Sequence, residues 1–137
     1  MSINLTKGQK IDLTKGSSGL NSIMVGLGWD SAEAAGGGFL GVFRKTPATI
    51  DCDASVILCD ANGKSSAQDL VYFGNLADPS GSIKHQGDNL TGDGEGDDEQ
   101  IFVNLPTIPQ RIDKLVFVVN IYDANVKKQH FGMVQNA

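Results

Sequence analysis

The chain has 137 residues, of which 40% are hydrophobic and 20% are charged, and its net charge is −5. These values are ordinary for a folded globular protein and exclude a disordered one. No apolar run approaches the ~18 residues that a membrane span needs, and no basic face is evident for nucleic acid. The first residues lack the basic start and apolar stretch of a secretory signal, which predicts a cytoplasmic protein.

The apolar residues recur with period two rather than 3.6, which predicts β-strands. The first predicted strand is residues 23–29, in which Gly26 and Gly28 indicate a bulge or the close approach of another segment. The next strand begins at Ile50 and alternates apolar and polar side chains as far as Leu58. One face of this strand is therefore predicted to be buried, and the other carries Asp51 and Asp53.

Three further strands are predicted at residues 70–73, 101–105 and 115–122. The last is almost continuously apolar, which predicts a strand buried on both faces. The Asn-Gly pair at positions 62 and 63 and the Pro-containing loop at 78–81 separate these strands. Residues 123–137 have no clear period. We therefore expect an all-β fold, a β-sandwich of two mainly antiparallel sheets, as a single domain over residues 1–137.

The two cysteines, Cys52 and Cys59, lie seven positions apart on one predicted strand. An extended chain rises ~3.3 Å per residue, which separates them by roughly 23 Å. A disulfide needs Cα atoms within about 7 Å, so we expect two reduced thiols. Reduced thiols agree with a cytoplasmic location.

Six of the sixteen acidic residues lie between positions 88 and 99, a segment without lysine or arginine. They are Asp88, Asp93, Glu95, Asp97, Asp98 and Glu99. Their carboxylates repel one another, and a divalent cation would relieve that repulsion. Calcium takes six to eight oxygen ligands from carboxylates, amides and backbone carbonyls, and this glycine-rich loop offers all three. The loop has no histidine or cysteine, which argues against zinc and copper. The sequence therefore predicts a calcium site.

The loop does not have the spacing of an EF-hand, because Leu90 occupies the third position when the count starts at Asp88. A solvated acidic loop is the alternative interpretation of the same residues. Asp51 and Asp53 point to one face of their strand and could complete one or two ion sites, or simply form an exposed polar face. Asp30 could cap a turn or reach the same site.

Two other functions remain open at this point. Calcium could bridge the protein to an anionic or hydroxyl-bearing ligand, or a carboxylate-held cation could assist hydrolysis. His85 and His130 have no evident serine or cysteine nucleophile arranged around them, so the sequence predicts no enzyme.

Three segments resemble the TerD family of bacterial tellurium-resistance and stress-response proteins. They are residues 26–30 (GLGWD), residues 50–55 (IDCDAS), and residues 87–92 (GDNLTG) continuing to 96–99 (GDDE). The similarity extends from the opening Leu-Thr-Lys-Gly segment to residues 117–120, and so covers essentially the whole chain. The resemblance implies a β-sandwich that binds calcium, with two ions expected, and a role in resistance to tellurite and other chemical stresses.

The resemblance also implies ligands residue by residue. They are Asp30, Asp51, Asp53, Asp88, Asn89, Thr91, Asp93, Glu95, Asp97, Asp98 and Glu99. Family members usually continue beyond Ala137 with several more strands. We therefore expect the domain to be incomplete at its C-terminus, and its exposed edges to favour self-association or strand exchange. Other stress-response proteins are further possible partners.

Overall fold

The computed structural model describes residues 4–14, 19–31, 49–88 and 96–135. Within these ranges the chain forms eight β-strands, one short α-helix, α1 (Ala124–Lys127), and three single-turn 3-10 helices. The strands are β1 (Ser22–Leu27), β2 (Asp30–Ser31), β3 (Cys52–Cys59), β4 (Leu70–Val71), β5 (Ile83–His85), β6 (Glu99–Asn104), β7 (Lys114–Ile121) and β8 (Val134–Gln135). None of the helices in the described part of the chain is long and apolar enough to cross a membrane.

The strand pairs in these ranges are antiparallel, and they form two three-stranded sheets in the orders β1-β6-β5 and β4-β3-β7. A third, two-stranded sheet pairs β2 with β8. The two larger sheets share one hydrophobic core, to which each contributes its inward-facing side chains. The fully or nearly buried members are Ala54, Val56, Leu58, Val71, Ile83, Ile101 and Val103. The predicted all-β sandwich is confirmed.

Strand β3 has the predicted two faces. Its residues Ala54, Val56 and Leu58 lie in the core, whereas Asp53 lies opposite Asn120 of β7 on the other face of the sheet. Cys52 packs at one end of the sandwich in a second apolar cluster with Trp29, Ile50 and Ile121. Both cysteines are free and buried, as expected from their separation. The alternation along this strand therefore places acidic side chains directly behind the core.

The prediction that β7 is buried on both faces is wrong. Within the described residues β7 pairs with β3 alone and forms the edge of its sheet. Its outward-facing side chains Val116 and Val118 are 43% and 38% exposed. The error has a physical cause, because a run of valine and phenylalanine has the composition of a central strand whether or not a second neighbour is present.

Strand β4 is shorter than predicted because the chain reverses immediately after Val71. The backbone of Tyr72 exchanges two hydrogen bonds with Asn75, and the Asn75 side chain donates to the Leu70 carbonyl oxygen at 2.6 Å. This tight reversal carries Phe73 out of the strand and over the acidic face of β3, where its ring meets that of Tyr122 edge-on.

A bidentate ion pair fixes the segment that precedes β4. Arg111 donates to both carboxylate oxygens of Asp69, at 2.6 and 3.0 Å, and the Ser66 hydroxyl donates to the same carboxylate. The hydrogen bond from Arg111, followed by that from Ser66, lowers the pKa of Asp69 to about 2. The pair ties the β3–β4 connection to the segment before β7.

We predict that Arg111→Met raises the pKa of Asp69 and lowers stability in a pH-dependent way. Because the folded-state pKa of Asp69 lies below its unfolded value, the pair stabilises the protein above pH ~4, and this contribution is lost as the pH falls toward 2. Urea unfolding between pH 2.5 and 7 should show a difference in the free energy of unfolding between wild type and variant, and this difference should become smaller below pH 4.

The matched control is Lys114→Met, which removes an exposed lysine whose partner Asp113 is also exposed. That variant should differ little from wild type at any pH, because surface ion pairs contribute little. If the loss of unfolding free energy in Arg111→Met stayed constant down to pH 2.5, the Arg111–Asp69 ion pair would not be its cause.

Candidate metal centre

Three aspartates converge behind the core, on the outward face of β3. Asp51, Asp53 and Asp88 each offer one carboxylate oxygen, and these oxygens lie within 4.8 Å of one another. Asp51 and Asp53 share a face because they are two residues apart on extended chain. Asp88 comes from the segment that follows β5. We call these three residues the aspartate cluster.

The cluster is only partly accessible to solvent. Asp51 is 7% exposed and Asp53 is 2% exposed, whereas Asp88 is exposed. Asp53 accepts a hydrogen bond from the Asn120 amide at 3.0 Å. The buried Oδ1 atom of Asp51 has no hydrogen-bond partner among the described residues. An acceptor of this kind carries a desolvation penalty that a cation ligand would remove.

Burial and the proximity of other negative charges raise the pKa values of Asp51 and Asp53. Burial is the main cause for Asp51, and the negative charge of Asp88 adds to it. Burial, followed by the charge of Asp51, raises the pKa of Asp53 to about 6, although the Asn120 hydrogen bond opposes this shift. The cluster therefore holds its negative charges at a free-energy cost, which either a proton or a cation would reduce.

Two aromatic side chains form the walls above the cluster. Phe73 and Tyr122 line, together with the three aspartates, a cavity of about 210 Å³. Their ring centres are 6.0 Å apart with the planes nearly perpendicular, and the Lys127 ammonium lies 5.4 Å from the centre of the Tyr122 ring. The cavity thus has a carboxylate floor, aromatic walls and a lysine nearby.

The C-terminal end of the acidic loop is anchored on β1 and the residues after it. The backbone N–H of Asp98 donates to the Leu27 carbonyl oxygen at 2.8 Å, and its carboxylate accepts from the Trp29 N–H at 2.9 Å. A Cβ atom at Gly28 would lie 2.9 Å from the Gly96 carbonyl oxygen, and one at Gly26 would overlap the Asp97 carboxylate. The close approach predicted at the two glycines is confirmed.

Glu99 has a different position from the rest of the acidic run. It lies on β6, and its buried Oε2 atom accepts from the Ala54 N–H at 2.6 Å. His85 Nε2 lies 3.2 Å from the Ala54 carbonyl oxygen and 3.4 Å from Glu99 Oε2. Ala54 is two residues before the pairing of β3 with β4 begins. Glu99 and His85 therefore satisfy β3 backbone groups where that pairing is absent.

The sequence did not predict this role for His85. The signal it carried was the alternation of Ile83, Lys84 and His85, which places the histidine on the core side of β5. The same alternation places Glu99 with Ile101 and Val103 on the buried face of β6.

The structure places the remaining predicted ligands in different parts of the molecule. Asp97 and Asp98 contact the segment from Gly26 to Trp29, and Asp30 lies on β2 opposite Gln135. The cluster holds Asp51, Asp53 and Asp88. Predictions on Asn89, Thr91, Asp93 and Glu95 lie outside the described residues.

These features together define an all-β module with a carboxylate cluster at the end of its central strand. The TerD domain model matches residues 1–137, and the chain belongs to the TerD family of tellurium-resistance and stress-response proteins.

The chain is similar along its whole length to several bacterial proteins. It is 56% identical to the stress response protein SCP2 and 48% identical to the general stress protein 16U, both of Bacillus subtilis. It is 39% identical to the tellurium resistance protein TerD of Serratia marcescens. These alignments cover 100% of the chain and 69%, 66% and 66% of the respective relatives, so the chain spans about two thirds of their length.

Solved structures show the same fold. A TerD homologue from Streptomyces coelicolor superposes with a TM-score of 0.63 at 24% identity, over 86% of this chain and 63% of that one. A second structure, described as a protein of unknown function, gives a TM-score of 0.63 at 23% identity over 86% of this chain and 62% of that one.

The glycine contacts give a matched pair of variants. Gly28→Ala should destabilise the protein by about 1–3 kcal/mol, because its Cβ meets a backbone oxygen that cannot move without shifting the loop. Gly26→Ala should destabilise the protein less than Gly28→Ala does, because the Asp97 side chain can rotate away. Thermal melts in the presence of a chelator would measure both changes. Equal losses for the two variants would contradict the backbone contact.

Proposed function

We propose that this chain is a non-enzymatic calcium-binding module of the bacterial stress response, acting in resistance to tellurite and other chemical stress. The observation that carries the proposal is the aspartate cluster, in which a buried oxygen of Asp51 has no hydrogen-bond partner among the described residues. Family membership supports the stress role, since relatives are named for stress response and tellurium resistance.

The chemistry of the cluster favours calcium over other ions. Its ligands are carboxylate oxygens, which suit hard cations, whereas zinc and copper prefer nitrogen and sulfur. Magnesium keeps most of its water and requires a strict octahedron, whereas calcium tolerates irregular sets of six to eight oxygens. Three aspartates of unequal burial form an irregular set.

The surroundings of the cluster favour binding over catalysis. The cavity is lined by three carboxylates and two aromatic rings, which can hold an ion and a ligand. We propose two ions, the first in the cluster and the second at the loop, where Asp97 and Asp98 would contribute. Action in the cytoplasm is part of the proposal and agrees with the two free, buried thiols.

Calcium should raise the melting temperature of the chelator-stripped protein, because a cation that binds only the folded state stabilises it by RT ln(1 + [L]/Kd). That amounts to about 2.7 kcal/mol at a hundredfold excess over Kd. Magnesium should have a smaller effect. Asp53→Asn should remove the part of the calcium response that comes from the ion in the cluster, since the amide keeps the shape and can still accept from Asn120 but loses the charge.

Asp113→Asn is the control, because it removes one exposed negative charge at the end of β7 remote from the cluster. It should keep the full calcium response. The double variant Asp97→Asn/Asp98→Asn separates the two proposed ions by losing only part of it. No calcium-dependent change in the wild-type melt would refute the proposal.

We also propose that the edge of β7 that has no partner among the described residues pairs with the same strand of a second copy. This strand has eight residues, its outward face includes the exposed apolar side chains of Val116 and Val118, and within its bounds only Lys114 is charged. A two-fold antiparallel pair of β7 strands would join two sheets and cover Val116 and Val118.

Light scattering at micromolar concentration should therefore give a dimer for the wild type. Val118→Lys should give a monomer, because an edge lysine opposes strand pairing. Met24→Lys, at an apolar position on β1 that is 47% exposed against 38% for Val118, is the control and should stay dimeric. A monomeric wild type with a cooperative melt would contradict the pairing.

A further inference from the structure

The aspartate cluster is bordered by a cavity and not only by protein. Its three aspartates each bring one oxygen to a common point, and calcium takes six to eight ligands. The cavity above them measures about 210 Å³, which exceeds the volume of several water molecules at ~30 Å³ each. An ion held by the cluster would therefore present part of its coordination sphere to this cavity.

The walls of the cavity do not have the chemistry of ion ligands. Phe73 and Tyr122 are 40% and 45% exposed, and their rings meet edge-on at the mouth of the cavity. Exposed aromatic rings beside a polar floor are suited to a ligand that has both an apolar face and polar groups. A ligand that touched the walls would bring its polar groups directly above the ion.

Charge decides between an anionic and a neutral ligand. Three carboxylates and one calcium ion leave a net charge of −1, which Lys127 beside Tyr122 only balances. An anion would therefore gain no net attraction from this site. A neutral ligand whose hydroxyl oxygens replace water on the ion avoids this cost.

We propose that the calcium-loaded cluster binds a neutral cyclic vicinal diol, of the sugar or polyol class. Two adjacent hydroxyls coordinate the ion, and the C–H face of the ring packs against Tyr122 and Phe73. This inference rests on the proposed calcium binding. It adds a ligand class and assigns the two aromatic residues to ligand recognition.

The test is isothermal titration in two stages. Calcium is titrated into chelator-stripped protein first, and myo-inositol is then titrated into the calcium-loaded and the calcium-free protein. Inorganic phosphate is run in parallel as the anionic probe. We expect myo-inositol to bind with millimolar affinity only when calcium is present, and phosphate to bind more weakly.

Variants distinguish the role of the aromatic side chains from that of the aspartate cluster. Tyr122→Ala should weaken myo-inositol binding at least tenfold while the calcium affinity changes less than twofold. Tyr122→Phe, which keeps an aromatic ring, should keep the affinities for both myo-inositol and calcium. Phe131→Ala, which removes an aromatic ring that is 55% exposed and does not line the cavity, should keep both as well. Asp53→Asn should lose the calcium ion of the cluster and, with it, myo-inositol binding.

The outcomes distinguish the two proposals. Absence of calcium binding overturns the proposed function and this inference together. Calcium binding without calcium-dependent binding of myo-inositol overturns the inference alone, as does tighter binding of phosphate or an unchanged affinity in Tyr122→Ala.

Discussion

Strand β3 is constrained on every side, and the rest of the described structure is arranged around it. Its neighbours in the described sheet are β7 along its whole length and β4 over two residues. Where β4 ends, Glu99 and His85 hydrogen-bond to the backbone of Ala54 instead of a strand. Its inward side chains form the core, so the intervening residues must face outward. The position of Asp53 is therefore a consequence of packing the core.

This arrangement couples the proposed ion site to the fold. Asp53 belongs to the central strand, and the Asp51 carbonyl oxygen accepts a hydrogen bond from the N–H of Tyr122, which follows β7. Asp88 begins the acidic loop, and the end of that loop is fixed at Leu27 and Trp29 by Asp98. A cation at the cluster would fix the start of the loop as well. The free energy of ion binding would then appear as stability of the fold.

The sequence predicted the fold class and the two faces of β3 because both depend on local alternation. It also predicted the close approach at Gly26 and Gly28, since a glycine inside a strand commonly marks a bulge or a neighbouring segment that leaves no space for a Cβ atom. It failed at β7, because apolar composition does not report how many neighbours a strand has. Phe73 and Tyr122 could not be predicted beside the cluster, because two chain reversals far apart in sequence bring them there. Glu99 was grouped with the loop by charge, although the alternation in β6 assigns it to the buried face.

The aspartate cluster differs from other buried acidic side chains of this chain in the hydrogen-bond donors that surround it. Asp69 is paired with Arg111, and Asp78 accepts from the Ile83 N–H and the Ser80 hydroxyl. Each of these groups therefore has a hydrogen-bond donor supplied by the protein itself. The Oδ1 atom of Asp51 has none among the described residues, although it is buried beside two more carboxylates. Two buried carboxylates thus have donors, whereas Asp51 Oδ1 has none among the described residues, and this contrast supports the proposed cation site more strongly than the acidity of the loop does.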